Sequence, residues 1–408
     1  AIREDRKRAG GGRSQSAAAR WIIAVQVALS LTLLVGAALF IRTFTNLLSV
    51  DAGFDRNNVL LVEANIHNAQ IPEQARVPLY GQMLARIQAL PGVISASQTR
   101  MRPLSGSEWN NNIQIPGRQL PHGVDPLTYM NWITPDYFAT MRTRLLAGRA
   151  FDTRDSSSST PVTVINQTAA QRYFPGENPL GMHLAIEDLG KLRGKSMEIV
   201  GVVQDAKYDD LREDFLPTIY FPLPQMAEVS ESSTFEIRTA SNPSALASAV
   251  RDAMGSVNKP TTLEFFTLQQ EADDSVIQER LLAVLSGFFG ALALVLTAIG
   301  LYGVMAYVVT LRTHEIGIRV ALGATRKSLL GLVLRDLALL VLMGTAAGAA
   351  VTFWLTRYVQ HLLFGLRPID GASFALAAAA LAVIVTVASY LPARRAMRVN
   401  PMVALRSE

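Results

Sequence analysis

The chain has 408 residues, 50% of them apolar, a mean hydropathy of +0.23 and a net charge of +5. Residues 43–280 carry 20 Lys+Arg against 27 Asp+Glu, which leaves 18 against 6 of the totals of 38 and 33 for the rest. The basic charge therefore flanks apolar runs rather than lining a groove, which argues against a nucleic-acid partner. With no cysteine, disulfides, thiolate metal sites and a lipidated N-terminal Cys are excluded.

In chain order, residues 1–20 form a basic, Gly-rich linker that opens on Ala1 and reads as entry from a longer polypeptide. Residues 21–41 carry no charge. At 1.5 Å per residue they reach about 31 Å, enough to cross the hydrocarbon core. A signal peptide fits poorly, because the apolar run is too long and Phe40-Ile41-Arg42-Thr43 is a poor cleavage site. Gln26 in this span can hydrogen-bond to a neighbouring helix.

Residues 42–280 predict one large α+β domain. "NVLLVEANI" (58–66) alternates as a strand, residues 74–90 as an amphipathic helix stopped by Pro91-Gly92, and "ISASQTR" (94–100) as a second strand. The pattern returns in "STFEIRTA" (233–240), a helix over 245–257 opened by Asn242-Pro243-Ser244, and "TTLEFFTL" (261–268). Two such β-α-β units suggest a split ferredoxin-like subdomain around an insertion, residues 101–230. The insertion is strand-rich, with "PVTVIN", "MEIVGVVQDA" and "PTIYFPL", and breaks at Pro116-Gly117, Pro175-Gly176 and the loop "DSSSST" (155–160).

Several stretches here imitate sites. "NQT" at Asn166 is a glycosylation sequon of a kind common by chance. "GKLRGKS" (190–196) resembles a phosphate loop but has one residue too few between its glycines, so it reads as a basic turn. With no other such loop, the chain is not expected to hydrolyse ATP by itself. Asp209-Asp210 and Asp273-Asp274 have no base or nucleophile nearby in sequence and read as solvated surface.

Three further uncharged runs follow: residues 281–309, 337–356 and 372–391. Segments 1–20, 310–336 and 392–408 hold six, five and four Lys+Arg, whereas loop 357–371 holds Arg357 and Arg367. The positive-inside rule then places both termini and the 310–336 loop in the cytoplasm and residues 42–280 outside. No ionisable residue sits at mid-bilayer, which weakens a secondary-transporter reading. Gly344 and Gly348 form a small-xxx-small face that expects another helix, from a missing first half or a second copy of the chain.

The cytoplasmic loop contains "HEIGIRVALGATRKSLL" (314–330). It starts like the zinc motif H-E-x-x-H, but the fifth residue is Ile318, so metal hydrolysis is not supported. Residues 313–322 have Gly317 as their one helix breaker, Gly323 ends the run, and Thr325 can cap a helix that continues into the third span. Arg326 and Lys327 oppose that helix dipole and are better explained by topology, anionic lipid or an acidic partner. A protein that pushes this loop can therefore move a span.

"THEIGIRVALGA" (313–324) and the terminal "PARRAMRVNPMVALRSE" resemble the MacB/FtsX permease family. "GRAF" (148–151), "VTVINQTAAQRYFPGENPLGMHL" (162–184) and "EIVGVVQDAKYDDLRE" (198–213) look like its periplasmic core domain. Residues 278–319 are similar to the duplicated orphan permeases common in Acidobacteria, of which the chain resembles the second half.

The resemblance implies the permease subunit of a mechanotransmission-type ABC transporter in the bacterial inner membrane, with four spans and a periplasmic domain of porter-like and Sabre-like parts. It implies no cofactor in this chain, ATP and Mg belonging to a partner cytoplasmic ATPase. A second permease half or copy, a periplasmic adaptor and membrane lipid are the further partners. His314, Glu315, Ile316, Gly317, Arg319, Ala321, Leu322, Gly323 and Ala324 would form the ATPase-coupling helix, and His314 departs from the Arg or Glu commonly found there. The implied output is efflux or export. The alternatives are a regulatory scaffold that activates a periplasmic partner, a lipoprotein-extraction permease, and a stand-alone membrane anchor for a periplasmic domain, the last of which leaves the loop unexplained.

Overall fold

A computed structural model describes residues 2–120, 122–187, 195–226, 229–311, 326–366 and 370–396. The chain divides into a helical unit, Ala1–Leu48 with Gln278–Glu408, and a second unit, Ser49–Ile277. The first helix, α1 (Ile2–Leu48), contains a membrane-length apolar stretch, Trp21–Leu48. It therefore runs past Arg42, where the charge-free count ended at residue 41. Arginine is a good helix former, and here Arg42 pairs with Asp370.

The second unit opens with β1 (Val59–Asn65), α2 (Glu73–Gln88) and β2 (Val93–Thr99). The insertion follows: β3 (Asn110–Gln114), β4 (Leu127–Ile133), α3 (Tyr137–Met141), β5 (Leu145–Gly148), β6 (Val162–Asn166), α4 (Gln167–Tyr173), β7 (His183–Ile186), β8 (Met197–Val203) and β9 (Thr218–Pro222). The unit closes with β10 (Ser232–Thr239), α5 (Ala247–Val257), β11 (Thr262–Thr267) and α6 (Leu268–Ser275). Strands β11-β1-β10-β2 lie side by side, all antiparallel. This is the order that two interleaved β-α-β units produce, and the first and last strands predicted from sequence fall within a residue or two of it.

Residues alternate between the faces of this sheet. Leu60, Val62, Phe235 and Ile237 share a core with Tyr80 and Met83 of α2 and Val250 and Met254 of α5. The opposite face carries Glu63, Ser97, Glu236 and Arg238, and α3 and α6 pack against its strands. In the insertion, β4, β3, β7, β8, β6 and β9 pair in turn, and β9 pairs back with β4, so the six strands close into a ring. Closure leaves no free edge within the ring. β2 joins it through the pair Thr99↔Ile133, and Ile113, Met130, Trp132 and Phe221 belong to the same continuous core as the sheet. The result is a large α+β domain with a closed β-sheet.

The helical unit resumes with α7 (Ile277–Leu311), α8 (Arg326–Val359) and α9 (Gly371–Ala396). Their apolar stretches are Ile277–Tyr307, Ala338–Leu362 and Gly371–Tyr390, so among the described residues four helices are long and apolar enough to cross a membrane. α1 lies at the centre of their packing: Ile23, Val27, Leu31, Val35 and Leu39, every fourth residue, are buried. Trp21, Ile22, Val25, Leu29 and Leu33 are exposed on its other side. This buried band winds around the helix, and the exposed side is one that lipid can cover.

Candidate functional site

The residues that the sequence assigns to ATPase coupling, His314 to Gly317, Arg319 and Ala321 to Ala324, lie outside the described residues. What the structure does describe is the helix that follows them. α8 presents Gly344, Gly348 and Thr352, all buried, to α1. A Cβ added at Gly344 would lie 2.8 Å from both the Ala24 carbonyl oxygen and Val27 Cβ. At Gly348 it would lie 2.7 Å from the Ala28 carbonyl oxygen and 2.9 Å from its Cα. The two backbones thus approach as closely as glycine permits. The helix in this contact is the chain's own α1, so the glycine face needs neither a missing half nor a second copy to cover it.

Polar atoms reinforce the approach. The Thr352 hydroxyl is 3.2 Å from that of Thr32, which also reaches the Ala28 and Gly348 carbonyl oxygens at 3.0 and 3.4 Å. On another side of α1, the Ser30 and Thr297 hydroxyls hydrogen-bond at 2.6 Å, joining it to α7. Bonds of this type contribute about 0.6 kcal/mol each in a bilayer. Gln26, singled out from sequence, lies against Gly300, where an added Cβ would meet its Oε1 at 2.5 Å.

A third contact closes the end of the bundle near Asp370. Arg42 donates to Asp370 and, at 3.4 Å, to Ser373, while Asp370 accepts the Ser373 N–H at 2.7 Å and so caps α9. The Thr43 hydroxyl accepts the Phe364 N–H at 3.4 Å, and Asn46 donates to the Phe364 carbonyl at 3.4 Å. Gly365, at φ +63°, fits beside Asn46. α1 is therefore fastened to α7, α8 and α9 by separate contacts. Sequence reading found the glycines and missed the hydroxyl pairs and the clamp. The available signals were small polar residues within apolar spans and Asp370, the sole acid of the 357–371 loop.

In the second unit, the apparent sites resolve into structural roles. Asn166 is fully buried: its Oδ1 accepts the Ala169 and Thr218 N–H groups, both at 2.9 Å, and it caps α4. The sequon is thus a helix cap. Asp210 accepts the Glu213 N–H at 2.8 Å, and Glu213 accepts the Asp209 N–H at 2.9 Å, so this acidic run organises a turn. Burial pushes Glu213 up to about 7. Asp273 accepts a bond from Gln269 at 2.9 Å and is exposed. Of the phosphate-loop imitation, residues 190–194 lie outside the described residues and Lys195-Ser196 lead into β8. Glu236 is fully buried on β10, its one side-chain partner being the Ser97 hydroxyl at 2.8 Å, and burial pushes it up to about 8. Among the described residues, no group of three His, Asp or Glu converges to hold a metal.

Residues 22–257 match the family described as MacB-like periplasmic core domain, and residues 287–401 match FtsX-like permease C-terminal. The probable syringafactin export ATP-binding/permease protein SyfD of Pseudomonas syringae pv. tomato is 28% identical, over 69% of this chain and 42% of its own length. The macrolide export ATP-binding/permease protein MacB of Pasteurella multocida is 26% identical, over 79% of this chain and 49% of its own length. The periplasmic region of MacB from Actinobacillus actinomycetemcomitans is a similar solved structure, with TM-score 0.38 and 14% identity, covering 55% of this chain and 95% of that one. The chain spans less than half the length of these two curated relatives. With the first match covering more than half of its residues, the chain belongs to the MacB-like periplasmic core domain family, within the MacB/FtsX-type ABC transporter permeases.

Proposed function

We propose that this chain transmits the closure of a cytoplasmic ABC ATPase to its periplasmic domain, as the permease part of a mechanotransmission-type exporter. The observation that carries this reading is the glycine contact. α8 follows the 314–324 loop in sequence, presses on α1 at van der Waals distance, and α1 continues into the Ser49–Ile277 unit. A push on the loop would thus pass from α8 to α1, whose chain runs on into the Ser49–Ile277 unit. The basic segments 1–20, 310–336 and 392–408 support an inner-membrane arrangement with both termini and this loop inside.

The coupling residues are His314, Glu315, Ile316, Gly317, Arg319, Ala321, Leu322, Gly323 and Ala324. ATP hydrolysis belongs to an ATP-binding part outside these 408 residues. The names of the relatives, which join ATP binding, permease and export, support that division of labour and export as the output. The four-stranded sheet with α2 and α5 is the porter-like part, and the six-stranded ring is the Sabre-like part. A periplasmic adaptor and a second permease half or copy complete the assembly, and the likeness of residues 278–319 to the duplicated orphan permeases supports a second half. Co-purification of the protein with cytoplasmic ATPases tests the reading. Glu315→Lys and Gly323→Pro are expected to lose the ATPase or its coupled activity; retention of both by both variants contradicts a coupling role for the loop.

A further inference from the structure

We infer that the outer domain is driven through two charge-paired nodes at the seam between its sheet and its strand ring: Asp55, just beyond α1, and Arg102, which grips the approach to α7. This rests on the coupling role proposed above. It assigns residues beside the two points where the chain enters and leaves this domain, after α1 and before α7.

The segment after α1 is keyed into the second unit by its backbone. Ala52 and Phe54 are buried, and the Ala52 carbonyl accepts the Lys207 N–H at 2.9 Å. Gly53, at φ +78°, passes so close to the Asp205 carbonyl that a side chain there would collide with it. Asp55 then meets both halves of the domain. Its carboxylate accepts Arg142, from the turn after α3, at 2.7 Å and Arg238, from β10, at 3.4 Å. The Arg238 guanidinium also donates to the Asp55, Asn57 and Thr140 carbonyls at 2.8, 2.9 and 2.6 Å.

The approach to α7 is α6, an eight-residue helix with a Thr267/Gln270 capping box and buried Leu268 and Ala272. One non-helical residue, Val276, separates it from α7. Arg102 donates to Glu271 of α6 at 3.1 Å and to Glu63 of β1 at 2.9 Å, and lies 4.5 Å from the Phe266 ring centroid. Its neighbour Met101 exchanges two backbone bonds with the Asn131 side chain of β4, both at 3.0 Å. Arg102 therefore ties α6 and β1 to the crossing where the chain enters the ring. Glu271 is almost fully buried, so removing its cation leaves an uncompensated carboxylate beneath α6.

The full chain in lipid nanodiscs, with the ATPase that co-purifies with it, tests this. Arg102→Gln is expected to raise amide exchange in residues 268–275 about tenfold or more while the ring strands stay protected. ATP-coupled activity should fall with ATPase binding retained, and E63Q/R102E/E271R, which reverses the α6 pair without setting two carboxylates against each other, should restore both readouts. Arg102→Lys, which keeps the charge but lacks the fork that spans two carboxylates, should fall between. Unchanged exchange at 268–275, or full coupling despite raised exchange, overturns the inference. A wild-type chain without any ATP response removes the coupling reading instead, and the exchange result then still decides whether Arg102 holds α6.

Discussion

Gly348 has less room than any side chain needs. An added Cβ would sit 2.7 Å from the Ala28 carbonyl oxygen, and neither backbone can yield without separating two helices. Gly348→Leu should therefore destabilise the full chain by about 1–3 kcal/mol through overpacking, seen as a lower melting temperature. A substitution at Gly303, where an added Cβ meets nothing within 4 Å, should have little effect. Glu236 acts through its proton. Its carboxyl, near 4.5 in the unfolded chain, rises to about 8 in the fold, so folding favours the protonated form. That stability is complete below pH 4.5, declines as the pH rises toward 8, and is lost above it. The slope has an upper bound of about 1.4 kcal/mol per pH unit. Urea unfolding from pH 5 to 8 should show the decline, and Glu236→Gln should flatten it; equal slopes contradict the buried-proton account.

Among the elements, α1 does most to organise the helical unit, because it meets α7 through Ser30, α8 through the glycine stripe and α9 through Arg42. The chain has no cysteine, so T32C/T352C offers a clean test of the second contact. Oxidation should produce a disulfide within one chain, since the two native hydroxyls are 3.2 Å apart. A cross-linked dimer would place the glycine face between chains instead. The spans were legible in sequence because twenty uncharged residues have few other uses. Their ends were less so: Arg42 reads as a stop until its partner Asp370, more than three hundred residues away, is known. The two β-α-β units were legible through period-2 and period-3.6 patterns. Ring closure was not, because the parallel pairs β6–β8 and β4–β9 join strands far apart in the chain, which local pattern does not encode. Asn166 was misleading for a related reason, since a cap and a sequon share the same residues.

At the scale of the molecule, a basic loop, an apolar bundle centred on α1 and an acidic outer domain form one covalent path. The glycines mattered in sequence as a pattern and in structure as a distance. Work done inside is expected to reach the outer domain through these helices. The most direct measurement is amide exchange of the Ser49–Ile277 unit in nanodiscs with the co-purified ATPase, before and after ATP is added. The account predicts a change in exchange near Asp55, Arg102 and α6 that Glu315→Lys abolishes. ATP turnover with no change anywhere in the outer domain would contradict it.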